Sequence, residues 1–305
     1  MHYSIPASFR LQAIILLLIG LTLPLFSAAA DKIKVVATFS VLADMVEQIA
    51  GDAVELTMLV GVDSDAHVYQ IRPIDAKQVS EADLLVVNGL GFEGWLARLE
   101  QSSGFDGRKL VASASIDAIH HDADGHADHS DSNLDPHAWH SLANGRQYVT
   151  NIAQALIEVD PQNRVHYQDN LTTYLAAIDA LDAELSSQVA AVPAGQRRVI
   201  TSHDAFAYLA RAYGFQFFSP QSISTESQPS ARDVARLIRQ IRQEGISALF
   251  IENISDDRLM QQIASETDVK LGGKLYSGAL SGLNEPASSY LAMMRHNVTV
   301  LLAAF

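Results

Sequence analysis

The chain has 305 residues, none of them cysteine, and 35 acidic against 21 basic side chains give a formal net charge of −14. Without cysteine there are no disulfides, no thiolate metal sites and no cysteine nucleophile, so the fold must rest on burial alone, for which this length suffices. The acidic balance disfavours nucleic acid and anionic membrane surfaces as partners.

At the start of the chain, Arg10 precedes the apolar run Ala13 to Phe26, followed by "SAAAD". The run is shorter than the ~20 residues that span a bilayer. With its A-x-A site ending at Ala30 it predicts a secretory signal over residues 1–30, cleaved near Ala30, and an exported mature chain. No cysteine follows the run to carry a lipid.

Strand-like runs then alternate with helical patterns. "KIKVVATF" (32–39) leads into a helix that Ser40 would cap and Gly51 would stop. Further strands are expected at 54–60, 83–89 and 109–113, with Pro73 opening a helix between them. Residues 142–158 read as a helix. After Pro161, a pattern from Asn163 to Val189 runs without glycine or proline, a rod of roughly 40 Å suited to connecting two lobes. The second half repeats the alternation, with strands at 197–202, 215–220, 248–253 and 274–278. Ser230 caps one helix there, Ser255 and Asp256 open another, and a last helix runs from Pro286 to Leu302. The expected architecture is α/β: two lobes, each with a parallel sheet flanked by helices, joined by one long connector helix. Its parts are an N-terminal lobe at 31–162 with a His-rich loop at 120–132, the connector at 163–191, and a C-terminal lobe at 192–305.

Ligands of open parallel sheets bind beyond the carboxyl ends of the strands. His67 follows the second strand, His203 ends "RRVITSH", and His137 lies in "LDPHAWHS" just before a helix. Residues from both lobes therefore reach loop positions at one cleft. Three imidazoles plus one further group make a tetrahedral zinc arrangement. Six of the eleven histidines fall within 117–141, but they differ in kind. His120, His121, His126 and His129 sit in an Asp-rich stretch without hydrophobic period, read as a solvated loop that collects metal or as an incidental surface insertion. His140 is read as a partly exposed polar residue near the cleft, with an auxiliary ligand role as the alternative. Trp95 and Trp139 read as packing residues near the cleft, His166 and His296 as solvated or capping residues on helices. Arg232, Arg236, Arg239 and Arg242 mark the exposed face of a helix.

The motifs "DAHVYQIRP", "NGLGFEGWL", "DPHAW", "TSHDAFAYLARAYG" and "YLAMMRHNVTVLLAAF" resemble the zinc/manganese solute-binding proteins of bacterial ABC importers, the ZnuA/TroA-like family, in order and over nearly the whole mature chain. The resemblance implies a periplasmic receptor that passes metal to an ABC-type permease, with His67, His137 and His203 as ligands. It implies Zn2+ over Mn2+, because the position of His203 carries a carboxylate in manganese members. It also implies a fourth ligand, an aspartate, where this chain has Gly278. Water, Glu252, Asp65 or His140 is then expected to complete the site. The receptor is expected to act as a monomer, with a periplasmic metallochaperone as a further partner, and to shift only slightly on binding. Two alternatives stand beside it: a zinc-dependent hydrolase using an open fourth position, and a zinc chaperone or storage protein. No HExxH or GxSxG motif accompanies the histidines.

Overall fold

The computed structural model of the protein describes residues 1–2, 31–120, 134–246 and 248–305. The expected export signal, and His121, His126 and His129 of the His-rich loop, lie outside the described residues.

Two four-stranded sheets, all parallel, carry the fold. The first joins β1 (Ile33–Phe39), β2 (Val54–Val60), β3 (Leu84–Val87) and β4 (Arg108–Val111) in the order β2-β1-β3-β4. The second joins β5 (Arg198–Ile200), β6 (Gln216–Phe218), β7 (Ala248–Glu252) and β8 (Lys270–Leu275) in the order β6-β5-β7-β8. In each sheet the first strand has successors on both sides, so each has a topological switch point, the place where such sheets hold ligands. The β-branched and leucine runs of β1 and β3 are buried throughout their centres, as strands covered on both faces must be.

Helices α1 (Ser40–Ala50), α2 (Pro73–Ser80), α3 (Leu96–Ser103) and α4 (Leu142–Val159) belong to the first lobe. Helices α6 (Ala207–Tyr213), α7 (Ala231–Glu244), α8 (Arg258–Thr267) and α9 (Tyr290–Leu302) follow the connector. The connector is α5, 27 residues from Arg164 to Ala190. Its buried residues, Tyr167, Tyr174, Ile178, Leu181, Leu185 and Val189, recur at the three- and four-residue spacing of one helical stripe. Near its first end His166 Nε2 meets the Ala50 carbonyl at the end of α1 (3.0 Å). Toward its other end Asp182 accepts the Tyr213 hydroxyl and Glu184 pairs with Arg295 of α9. One helix thus braces both lobes.

One core runs from the first sheet through the seam to Phe206, Phe250 and Met293, while the outer face of the second sheet has a smaller core of its own under α7 and α8. Polar ties cross the seam as well. Leu280 N–H donates to Ser40 Oγ at 2.9 Å, Tyr290 N–H to Asp44 Oδ2 at 2.8 Å, and Asp63 N–H to the Leu280 carbonyl at 2.9 Å.

Several expectations need correction. Ser40 is the first residue of α1 rather than its cap, because its hydroxyl is spent on Leu280. The eighth strand covers 270–275, not 274–278; Gly272 and Gly273 interrupt its apolar pattern, and only pairing with β7 reveals it. The last helix begins at Tyr290, where Ser289 Oγ accepts the Ala292 N–H, so Pro286 lies in the loop before it.

Gly145 of α4 lies where a Cβ would sit 2.3 Å from the Tyr290 hydroxyl, and that hydroxyl donates to the Trp139 carbonyl at 2.8 Å. Gly145→Ala should therefore destabilise the protein by ~1–3 kcal/mol through overpacking, although alanine favours a helix interior by roughly 0.5–1 kcal/mol. Denaturant unfolding checks this; a gain in stability would contradict it.

Candidate metal centre

His67, His137 and His203 meet between the lobes. Each offers a ring nitrogen, and the three ligand-capable atoms lie within 4.8 Å of one another. Ring centroids are 5.2 Å apart for His67–His137 and His137–His203, and 6.0 Å for His67–His203. All three are buried: His67 is 6% exposed, His137 and His203 0%. Among the described residues this is the one group of histidines and carboxylates with such spacing.

Local sequence sets each ligand. Asp65 Oδ1 accepts the backbone N–H of His67 at 2.9 Å, and Asp135 Oδ1 accepts that of His137 at 2.9 Å. Both are aspartate turns reaching two residues on, written in the chain as "DAH" and "DPH". That repeated D-x-H pattern is the sequence signal for Asp135. Asp135 Oδ1 also lies 2.9 Å from His137 Nδ1. A carboxylate there accepts a hydrogen bond from Nδ1–H, which leaves the lone pair of Nε2 facing the centre. His67 Nε2 stands 3.1 Å from that Nε2, so in the metal-free protein His67 donates to His137.

His203 follows β5 and Glu252 ends β7, the two strands at the switch point of the second sheet. Glu252 accepts the His203 N–H at 3.0 Å and pairs with His203 Nδ1 at 2.6 Å. Burial works against a charged His203, yet the adjacent Glu252 carboxylate prevails and holds its pKa above the ordinary histidine value. Burial likewise opposes the Glu252 carboxylate, but His203 keeps it below the usual glutamate range. His203 Nε2 is buried without a hydrogen-bond partner. A buried nitrogen left so carries a desolvation cost that a cation would remove. His67 behaves oppositely: burial, then the neighbouring His137 and His203, push it down to about 2. His137 falls well below the usual value for the same first reason.

Asp65, Glu252 and His140 do not join the three-histidine group. The two carboxylates support ligand segments from behind. His140, expected to be partly exposed, is 0% exposed; it packs on Phe206, and its Nε2 lies 2.9 Å from the Ser277 carbonyl. Trp139 donates to that same carbonyl at 3.0 Å, so neighbouring residues pin the loop after β8 to the first lobe. Gly278 is in this loop, and a Cβ there would lie 3.0 Å from Ile254 Cδ1; an isoleucine fills the space beside it. His120 is exposed and bridges to Leu134 at the base of the His-rich loop. Phe92 forms a wall against His67, with ring centroids 4.7 Å apart. Behind it buried Glu93 accepts the hydroxyl of Thr38 and the N–H of Asn88, both at 2.7 Å. Trp95 and Trp139 are buried packing residues, as expected.

The family described as "Zinc-uptake complex component A periplasmic" matches residues 35–304. The chain belongs to this family. It is 33% identical over 278 residues to the metal ABC transporter substrate-binding lipoprotein FimA of Streptococcus parasanguinis, covering 89% of each chain. It is 32% identical to the manganese ABC transporter substrate-binding lipoprotein PsaA of Streptococcus pneumoniae, covering 89% of this chain and 88% of that one. Among solved structures, the periplasmic zinc binding protein TroA of Treponema pallidum superposes with a TM-score of 0.82 at 28% identity, covering 90% of this chain and 99% of TroA. Family members are metal-binding receptors of ABC transporters and not enzymes, so the hydrolase alternative is set aside. Among the described residues, no helix is long and apolar enough to cross a membrane.

The electrostatics can be read directly. In the metal-free protein, ring 15N shifts followed against pH should show His203 titrating above the ordinary histidine value, and His67 and His137 well below it. In Glu252→Gln the main influence opposing burial is gone and only Asp65 and Asp204 still favour the charged ring, so the His203 pKa should fall. A His203 that titrates at or below the ordinary histidine value in the wild type would contradict the assignment.

Proposed function

We propose that the protein is a periplasmic zinc receptor that captures Zn2+ through His67, His137 and His203 and delivers it to the membrane permease of an ABC importer. The supporting observation is the donor set: three buried imidazoles, and no carboxylate in the group among the described residues. Nitrogen donors suit zinc, whereas manganese prefers oxygen. The relatives' names span manganese, iron and zinc, so family membership alone leaves the metal open, and the donor set favours zinc. Asp135 and Glu252 behind two of the ligands fix tautomers and add negative charge near the cation. Water takes the fourth position, as Gly278 offers no side chain. The receptor acts as a monomer, and a periplasmic metallochaperone is a fitting donor.

Export rests on the apolar N-terminal run. Relatives carry the word lipoprotein in their names, but this sequence has no cysteine to acylate, which favours a free periplasmic form. The brace of α5 and the polar ties across the seam support small shifts on binding over wide lobe closure.

Binding zinc requires a neutral His203, whose proton must leave. Because its pKa is raised, zinc affinity should hold above that value and fall about tenfold per pH unit below it. His67 and His137, held well below the ordinary histidine value, add little proton competition. Titration against competing chelators should give one zinc per chain and an affinity for Mn2+ at least ~100-fold weaker. His137→Ala should weaken zinc binding by a similar factor. Manganese binding as tightly as zinc would overturn the assignment.

A further inference from the structure

Residues 221–229 leave β6 and pass across the seam between the lobes. At their start Gln221 pairs with His203 in a parallel bridge, and the Asp204 N–H donates to the Ser222 carbonyl at 3.3 Å. Further on, the Thr225 hydroxyl donates to Asp65 Oδ2 at 2.6 Å. The other oxygen of that carboxylate, Oδ1, holds the backbone N–H of His67 at 2.9 Å. One segment is therefore bonded to the chain at His203 in one lobe and, through Asp65, at His67 in the other.

The same segment lies between two cavities. One, of about 530 Å3, is lined by His67, Tyr69, Trp95, Arg98 and Glu226 among others. The other, of about 340 Å3, is lined by Asp65, Ser202, Gln221, Thr225, Glu226 and Ser255 among others. Val68 and Glu226 border both. Glu226 itself reaches the first lobe, its Oε1 3.4 Å from where a Cβ of Gly94 would stand. His67 lines the first cavity, and all three imidazoles are almost wholly buried, so an ion can reach or leave them only if something around them moves.

We propose that the Thr225–Asp65 hydrogen bond is a clasp that sets the spacing of His67 and His203 and limits how fast metal enters and leaves. Both are positioning residues; neither is a ligand. The bond suits this task because it is the point where the segment from the second lobe is tied to the loop carrying His67. A hydroxyl bonded to a carboxylate is among the stronger hydrogen bonds, yet both partners border a cavity that can hydrate them once parted. Opening it costs little beyond the bond itself. The proposal rests on the reading of the three histidines as the metal centre.

The test uses the full mature chain loaded with one equivalent of Zn2+ and measures the rate of transfer to an excess of a fluorescent chelator. Thr225→Val keeps the shape and removes the hydroxyl; Thr225→Ala is the second variant should valine not fold. Either should release zinc about tenfold faster, the size expected for one such bond, with the unfolding midpoint of the metal-free protein lowered by no more than the loss of that one bond. Thr225→Ser should restore the wild-type rate. Release from Thr225→Val at the wild-type rate, or fast release from Thr225→Ser, overturns the clasp. Zinc affinity in His137→Ala equal to that of the wild type overturns instead the metal-centre reading beneath it.

Discussion

Three imidazoles and two carboxylates are buried within a few ångströms of one another at the seam of two lobes, and burial obliges each to find a partner inside the protein. The protein meets this obligation unevenly. Asp135 takes His137 Nδ1, Glu252 takes His203 Nδ1, and His67 leans on His137. What is left over is a lone pair on His137, engaged by a weak neutral donor, and the unpartnered Nε2 of His203. A divalent cation satisfies both once His203 gives up its proton, and replaces the awkward His67–His137 contact with two coordinate bonds. The centre is in this sense organised around an absent positive charge.

Such a centre is useful only if the lobes stay in register. A shift of an ångström would separate ligands carried by different sheets. The long helix α5 supplies rigidity along the whole length, and the ties at Ser40, Asp44 and Asp63 supply it at the seam. Trp139 and His140 hold the loop after β8 through the Ser277 carbonyl. Cargo exchange must then be local, through the segment bordering the cavities, while the sheets remain fixed.

Much of this was legible in the sequence. The two-lobe α/β plan followed from alternating strand and helix patterns, and the connector from a stretch with no glycine or proline. Its buried stripe at Tyr167, Tyr174, Ile178 and Leu181 shows why the pattern could be trusted. Positions of the three histidines followed from strand ends. The partners behind them were harder to read, since an acid such as Glu252 at a strand end looks like a ligand until the backbone N–H of His203 is seen to claim it. His140 was misjudged because spacing along a helix cannot tell a ring facing solvent from one facing Phe206 across the seam. The β8 strand was misplaced because its identity lies in pairing with β7, a contact invisible to local pattern. Thr225, 160 residues from Asp65, lay beyond any local signal.

X-ray absorption at the zinc edge, on protein carrying one equivalent of Zn2+, tests the central claim most directly. The account predicts three imidazole nitrogens at ~2.0 Å with one further light atom, a spectrum unaltered when residues 120–132 are deleted. Fewer than three imidazoles, or a shell that collapses on that deletion, would place the metal elsewhere and contradict the account.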